Sequence, residues 1–302
     1  MQITEVKKIN MSNSLEQFLS RAEKLMDQLQ AILPKPLSEP DWTQSTAFRY
    51  RKRQGGHGAL EAVAHVGHLR FSDLKEIDLQ KEKITRNTLQ FIEGKGANNV
   101  LLTGARGTGK SSLIKASLNE FAHLGLRLIE VDKADLVDLP DLVDLVSQRP
   151  EKFMIFCDDL SFEEGESSYK ALKSMLDGSV AQTSANVLIY ATSNRRHLLP
   201  EYMKENLSYA PSVDGEIHPG EGIEEKISLS ERFGLWISFY PFSQDEYLSI
   251  ACQWLQYMKV PEKHFESAKP EALLWALERG SRSGRVAFQF AKDYAGRMNL
   301  SA

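Results

Sequence analysis

The chain has 302 residues, 42% apolar and 26% charged, and its 37 Lys and Arg against 41 Asp and Glu leave a net charge of −4. This composition fits a globular protein with a real core and excludes a whole-chain basic field for nucleic acid. The longest apolar run, Ala272 to Leu277, is far short of the roughly 20 residues that a membrane span needs. No apolar stretch follows the N-terminal lysines, so no secretory leader is expected. Cys157 and Cys252 lie far apart in apolar contexts, which predicts neither a disulfide framework nor a zinc site. The expected setting is cytoplasmic, with no membrane partner.

In chain order, residues 1–71 read as a helical N-terminal extension followed by a basic linker. Ser14 to Gln17 has the form of a capping box. Behind it Leu15, Phe18, Leu19, Ala22, Leu25, Met26, Leu29 and Leu33 share one helical stripe that ends at Pro34. Pro34, Pro36 and Pro40 then predict extended chain. Arg49, Arg51, Lys52 and Arg53 come next, interleaved with Phe48 and Tyr50. Such a cluster either holds single-stranded nucleic acid by phosphate contact and stacking, or is solvated and paired with acids. His65 and His68 have no accompanying ligand pattern for a metal.

From residue 72 to 240 short β-rich runs alternate with helical segments. The strands are expected at 100–102, 126–131, 153–157, 187–191 and 235–240, and helices at about 110–124, 133–148 and 167–177. Strand and helix in alternation predict a parallel sheet covered on both faces. The segment 195–230 interrupts the pattern. Its portion from 214 to 226 carries five acids against one lysine. Residues 241–302 read as helical, opened by a second capping box, Ser243 to Glu246, with Phe242 and Tyr247 as its hydrophobic staple. A further helix is expected to open at Pro270 and close at Gly280.

The chemistry is concentrated at three strand ends. Gly104-Ala105-Arg106-Gly107-Thr108-Gly109-Lys110-Ser111 is a complete G-x-x-x-x-G-K-S phosphate loop between an apolar strand and an amphipathic helix, with Ser112 next. Its glycines let backbone N–H groups wrap phosphates at a helix N-terminus. Lys110 is expected to reach the β- and γ-phosphates and Ser111 to ligate Mg²⁺. The apolar strand 153–157 ends in Asp158 and Asp159. Asp158 is placed to hold the metal through water, and Asp159 to polarise an attacking water, with Glu163 or Glu164 as other acids nearby. A third strand, from Val187, ends in Thr192-Ser193-Asn194, where Asn194 or its neighbours would bridge water and γ-phosphate.

Together these three strand ends, with Arg232 in Leu229-Ser-Glu-Arg-Phe-Gly234 and Arg285 in Ser283-Gly-Arg-Val-Ala287, resemble the AAA+ ATPase fold over about 72–298. The phrases around Asp158 and Thr192 to His197 are most similar to small bacterial AAA+ proteins classed as a domain of unknown function. The resemblance implies a five-stranded parallel sheet of order 5-1-4-3-2, with a C-terminal helical lid. It implies ATP as ligand, Mg²⁺ as cofactor, ATP hydrolysis coupled to lid and subunit motion, and a homo-oligomer. It makes Arg232 a finger toward a neighbouring subunit's γ-phosphate, Arg285 a nucleotide sensor in cis, and Leu74, Ile77 and Gln80 the neighbourhood of the adenine. The family's usual water-activating residue is Glu, and Asp159 is one methylene shorter. That difference favours slow turnover, or an ATP-operated switch or loader that recruits a protein or nucleic-acid partner. A small-molecule kinase shares the phosphate loop; the paired aspartates, the two placed arginines and the absence of an evident substrate lid between strands stand against it.

Overall fold

The computed structural model describes residues 18–28, 37, 39–52, 58–162, 166–177, 184–195, 198 and 229–298. The acidic 214–226 segment, Glu163, Glu164 and Arg53 lie outside the described residues, as do the first capping box and the start and end of the N-terminal stripe. The chain divides into two compact units, one comprising 1–38 with 52–59 and the other 39–51 with 60–302. In the first, helix α1 spans 18–28, with Phe18, Leu19, Leu25 and Met26 exposed.

The strands of the sheet are β1 (Ala47–Lys52), β2 (Gly58–Ala62), β3 (Val100–Gly104), β4 (Leu126–Glu130), β5 (Lys152–Cys157), β6 (Val187–Ser193) and β7 (Leu235–Phe239). Their order is β2-β1-β4-β5-β6-β3-β7. The five strands expected from the sequence are all present, and β7-β3-β6-β5-β4 is the expected order 5-1-4-3-2. The count is the correction: the sheet has seven strands, because β1 and β2 extend it beyond β4. The pairs β3–β6, β3–β7, β4–β5, β5–β6 and β1–β4 are all parallel. Central strands buried on both faces need continuous apolar runs rather than alternation. Accordingly Val100, Leu101 and Leu102 of β3 and Phe153, Met154 and Ile155 of β5 are fully enclosed.

Residues 47–52 are therefore sheet and not linker. Phe48 is fully buried and stacks edge-on against Trp42 at 4.6 Å, and Tyr50 donates to Asp138 at 2.9 Å. These two aromatics face the core, so they are not available to stack on bases. Arg49 on the same strand is paired with Glu130 at 2.6 Å, and that carboxylate holds its guanidinium above its ordinary pKa.

The helices are α2 (Asp78–Ile92), α3 (Lys110–Phe121), α4 (Leu139–Val146), α5 (Ser167–Asp177), α6 (Gln244–Tyr257), α7 (Phe265–Glu278) and α8 (Gly284–Arg297). The capping box at α6 forms as expected, with Ser243 Oγ accepting from the Glu246 N–H and the Glu246 carboxylate accepting from the Ser243 N–H. Pro270 does not open a helix; it sits inside α7, which begins at Phe265. A proline there removes one N–H donor, and the helix carries that loss because Ala268, Ala272 and Ala276 are buried against its neighbours. The expected stop is confirmed at Gly280, φ +62, where the N–H groups of Gly280 and Ser281 bond back to Leu277 and Ala276. No helix among the described residues is long and apolar enough to cross a membrane.

Candidate functional site

A parallel sheet collects its loops at the C-terminal ends of its strands, so the tips of β3, β5 and β6 are neighbours. They open onto a cleft of about 600 Å³. Backbone geometry sets the phosphate loop. Gly104, Gly107 and Gly109 have φ of +129, +74 and +101, a region that side chains rarely adopt. A Cβ on Gly104 would lie 1.9 Å from the Phe239 carbonyl oxygen, so the end of β7 admits only glycine there. Gly109 in the left-handed conformation precedes α3, whose first residue is Lys110.

Lys110 is buried, and its Nζ donates to the carbonyls of Gly104 and Ala105, each at 2.7 Å, and to Asn194 Oδ1 at 3.0 Å. Burial lowers its pKa from the ordinary value; Asp159 and Asp158 oppose the shift, while Arg106 and Arg285 add to it. Asn194 passes the contact on, its Nδ2 donating to Asp159 Oδ1. Asp159 itself has φ +51, a strained position for a residue with a side chain. Its N–H donates to Thr192 Oγ1 at 2.9 Å. Asp158 Oδ1 accepts from two hydroxyls, Ser111 Oγ and Thr192 Oγ1, each at 2.6 Å. Cys157, one residue before, has a fully buried thiol that desolvation pushes up to about 12, so it is no nucleophile.

The structure thus brings Arg106, Gly107, Thr108, Gly109, Lys110, Ser111, Ser112, Asp158, Asp159, Asn194 and Arg285 to one cleft. Gly104 and Ala105 contribute carbonyls to Lys110 from behind it. Leu74 and Ile77 line the cleft, whereas Gln80 turns away to donate to the Ser238 carbonyl. Arg232 is not among the lining residues, and its guanidinium is paired with Asp177 at the end of α5.

Sequence reasoning named Thr192 only as a neighbour of Asn194 and missed its bond to Asp158, although strand alternation puts 192 and 194 on one face. It also missed the apolar wall of Phe242, Ile250, Trp254 and Phe288. Trp254 and Phe288 meet edge-on at 4.9 Å, which joins α6 to α8 across the cleft. α8 is tied directly to the phosphate loop, because the Gly284 N–H donates to the Gly107 carbonyl at 2.9 Å. Among the described residues no group of three or more His, Cys, Asp or Glu could hold a metal. The hydroxyl and carboxylate oxygens at Ser111, Thr192 and Asp158 are hard donors of the kind Mg²⁺ takes when most of its shell is water and phosphate.

A phosphate loop on the second strand from one edge of the core order, acids on the strand two places away and a helical lid against the loop define an AAA+ P-loop protein. More particularly, the chain belongs to the family described as protein of unknown function (DUF815), whose profile matches residues 43–298. Among solved structures it is similar to a point variant of RuvB from Thermotoga maritima. That match has 15% identity and a TM-score of 0.48, and it covers 75% of this chain and 65% of that one. It is also similar to the Holliday junction branch migration motor RuvB of that organism, at 13% identity and a TM-score of 0.40, over 77% of this chain and 73% of that one. The chain spans slightly less than two thirds of the length of the first. No curated protein matches it.

Proposed function

We propose that the cleft binds ATP with Mg²⁺ and hydrolyses it slowly, and that the lid reports the nucleotide state. One observation carries the reading: Asp158 Oδ1 gathers the hydroxyls of Ser111 and Thr192 while Lys110, Asn194 and Asp159 form a continuous hydrogen-bonded chain beside it. Lys110 and the loop N–H groups hold the β- and γ-phosphates. Ser111 and Asp158 would hold Mg²⁺, which supplies charge neutralisation between those phosphates. Leu74, Ile77, Ile250 and Trp254 offer an apolar wall for the base.

Asp159 accepts a proton from water as the water oxygen bonds to the γ-phosphorus and the bond to the β-phosphate oxygen breaks, leaving ADP and phosphate. Asn194 sets the position of that carboxylate and steadies Lys110. Asp159 is one methylene shorter than the family's usual Glu, which favours low turnover, in keeping with a switch that recruits a partner. Arg285 opens α8 at the loop and is the cis contact to the phosphates. Arg232 we assign to a neighbouring subunit's phosphates, which requires it to leave Asp177. Replacing Lys110 with Ala should abolish ATP binding measured by calorimetry; unchanged affinity would remove the phosphate-loop assignment and everything built on it.

A further inference from the structure

Residues 67–77 lie between the helix of the phosphate loop and the lid, and they form part of the cleft wall. The segment begins on α3, where Asn119 Nδ2 donates to the carbonyls of both Gly67 and Leu69, at 2.6 and 2.7 Å. Phe71 then packs edge-on against Phe121, the last residue of that helix, at 6.1 Å. One turn of 3₁₀ helix, Phe71–Asp73, is held by the Arg70 N–H donating to Asp73 Oδ2 at 2.8 Å. The segment ends at Ile77, which is buried and whose Cδ1 lies 3.5 Å from where a Cβ on Gly109 would sit. Both of its ends are therefore fixed to the element that carries Lys110.

Its middle is fixed to the lid instead. Asp73, Leu74, Lys75 and Ile77 all line the cleft, and Glu76 between them does not. Glu76 has φ +63, in the left-handed region that a residue with a side chain seldom adopts without support from its surroundings. Its carboxylate is directed at α6, where Oε1 accepts from Ser249 Oγ at 2.7 Å. One turn further along α6, Gln253 Nε2 donates to the Ser72 carbonyl at 3.3 Å. The second bond is the weaker one, because it is long and Gln253 Oε1 is enclosed without a partner among the described residues.

The spacing on α6 explains what these bonds control. Residues four apart share a helix face, so Ser249 and Gln253 form one row and Ile250 and Trp254 the row beside it. Ile250 and Trp254 line the cleft, while Ser249 and Gln253 bond the segment that carries Leu74 and Lys75 on another part of its wall. The two walls are thus bonded to each other along one border. Moving α6 away from residues 72–76 to widen the cleft breaks both bonds. It also releases Glu76 from a strained backbone, which offsets part of the cost and makes the join reversible.

We infer that residues 67–77 are a strap clasped to the lid, and that the bond between Glu76 and Ser249 sets how fast nucleotide enters and leaves the cleft. Glu76 and Ser249 are positioning residues, since neither lines the cleft. The inference takes its ligand from the nucleotide reading above and its geometry from the strap's own bonds. The clasp acts on exchange and leaves the chemical step alone.

The test uses the full chain and ADP bearing a fluorescent N-methylanthraniloyl group, chased with unlabelled ADP in a stopped-flow instrument. Ser249→Ala keeps a good helix former in α6 and should release the nucleotide about three- to tenfold faster, the worth of one hydrogen bond. Glu76→Gly should release it as fast while unfolding at about the wild-type temperature, because glycine removes the strain together with the clasp. Glu76→Gln keeps an acceptor for Ser249 Oγ and should stay within about twofold of wild type. Single-turnover hydrolysis of bound ATP should be unchanged in all three. Hydrogen exchange of the nucleotide-free protein gives a readout that needs no ligand: amides of 69–77 and of the first turns of α6 should exchange faster in Ser249→Ala, and those of α8 should not. Equal release rates in wild type, Ser249→Ala and Glu76→Gly would overturn the inference, as would Glu76→Gln behaving like Glu76→Gly. Labelled ADP that fails to bind wild type would overturn the nucleotide reading and the exchange role with it, and hydrogen exchange would then decide the clasp by itself.

Discussion

Replacing Gly107 with Ala probes the join between the phosphate loop and the lid. The backbone part of the cost has an internal control, because Gly107 and Gly94 have nearly equal φ, +74 and +73. An added Cβ at Gly94 meets nothing within 4 Å, so Gly94→Ala carries the left-handed penalty alone, about 1–2 kcal/mol. At Gly107 the Cβ would come within 2.8 Å of Ser283 Oγ and 3.0 Å of Ser283 Cβ. Overpacking of that kind adds about 1–3 kcal/mol. Ser283 also caps α8 by accepting from the Val286 N–H at 3.3 Å, and displacing it forfeits about 1 kcal/mol of cap. The two variants should therefore differ by roughly 2–4 kcal/mol, and at about 2–4 °C per kcal/mol their unfolding midpoints should separate by about 4 °C or more. Gly107→Ala should also weaken ATP binding, since relief of the clash moves Gly284 and Arg285 off the loop. Scanning calorimetry and titration of both variants measure the two effects. Equal midpoints with equal ATP affinities would refute the claim that the lid bears on the loop at this residue.

Asp159→Asn should retain Mg·ATP binding and lose hydrolysis by about 10²–10⁴, because an amide cannot accept the water's proton; single-turnover rates near wild type would point to another base. Arg232→Ala should leave ATP affinity near normal and lower turnover steeply, and mixing it with Lys110→Ala should restore some rate. Specific activity of wild type that is constant on dilution would instead leave Arg232 as the local partner of Asp177. The Lys110 ammonium, lowered by burial, loses its proton at lower pH than a free lysine with its ordinary value of 10.5. Across that alkaline window the unfolded chain holds more protons than the folded one, so Lys110 makes stability rise with pH there. Phosphate affinity should fall over the same window, and ATP binding should take up protons, read by calorimetry in buffers of different ionisation heat. Lys110→Met should abolish the stability slope.

Much of this site was legible because its chemistry is local in sequence. The phosphate loop is one continuous octapeptide, and the acids follow directly on an apolar run that can only be a buried strand. Asn194 ends a third such run. Each of these signals needs only a strand, a tip and the alternation of side chains. The capping box at Ser243 and the glycine stop at Gly280 are equally local, and both formed as expected.

What the tertiary structure alone decided depends on residues far apart in the chain. Arg49 looked like a free cation until β1 paired with β4 and set Glu130 opposite it, 81 positions away. Phe48 and Tyr50 alternate with basic residues as they would on a solvated strand, and only the added pair of strands turned them inward. Thr192 gained its role from Asp158 on the neighbouring strand, and the apolar wall at Trp254 and Phe288 exists because two helices cross above the loop. Local pattern could name the parts of the site because short-range sterics and burial act on neighbouring residues. Which parts face each other was settled by strand pairing and helix packing between segments distant in the chain, where local pattern carries no information.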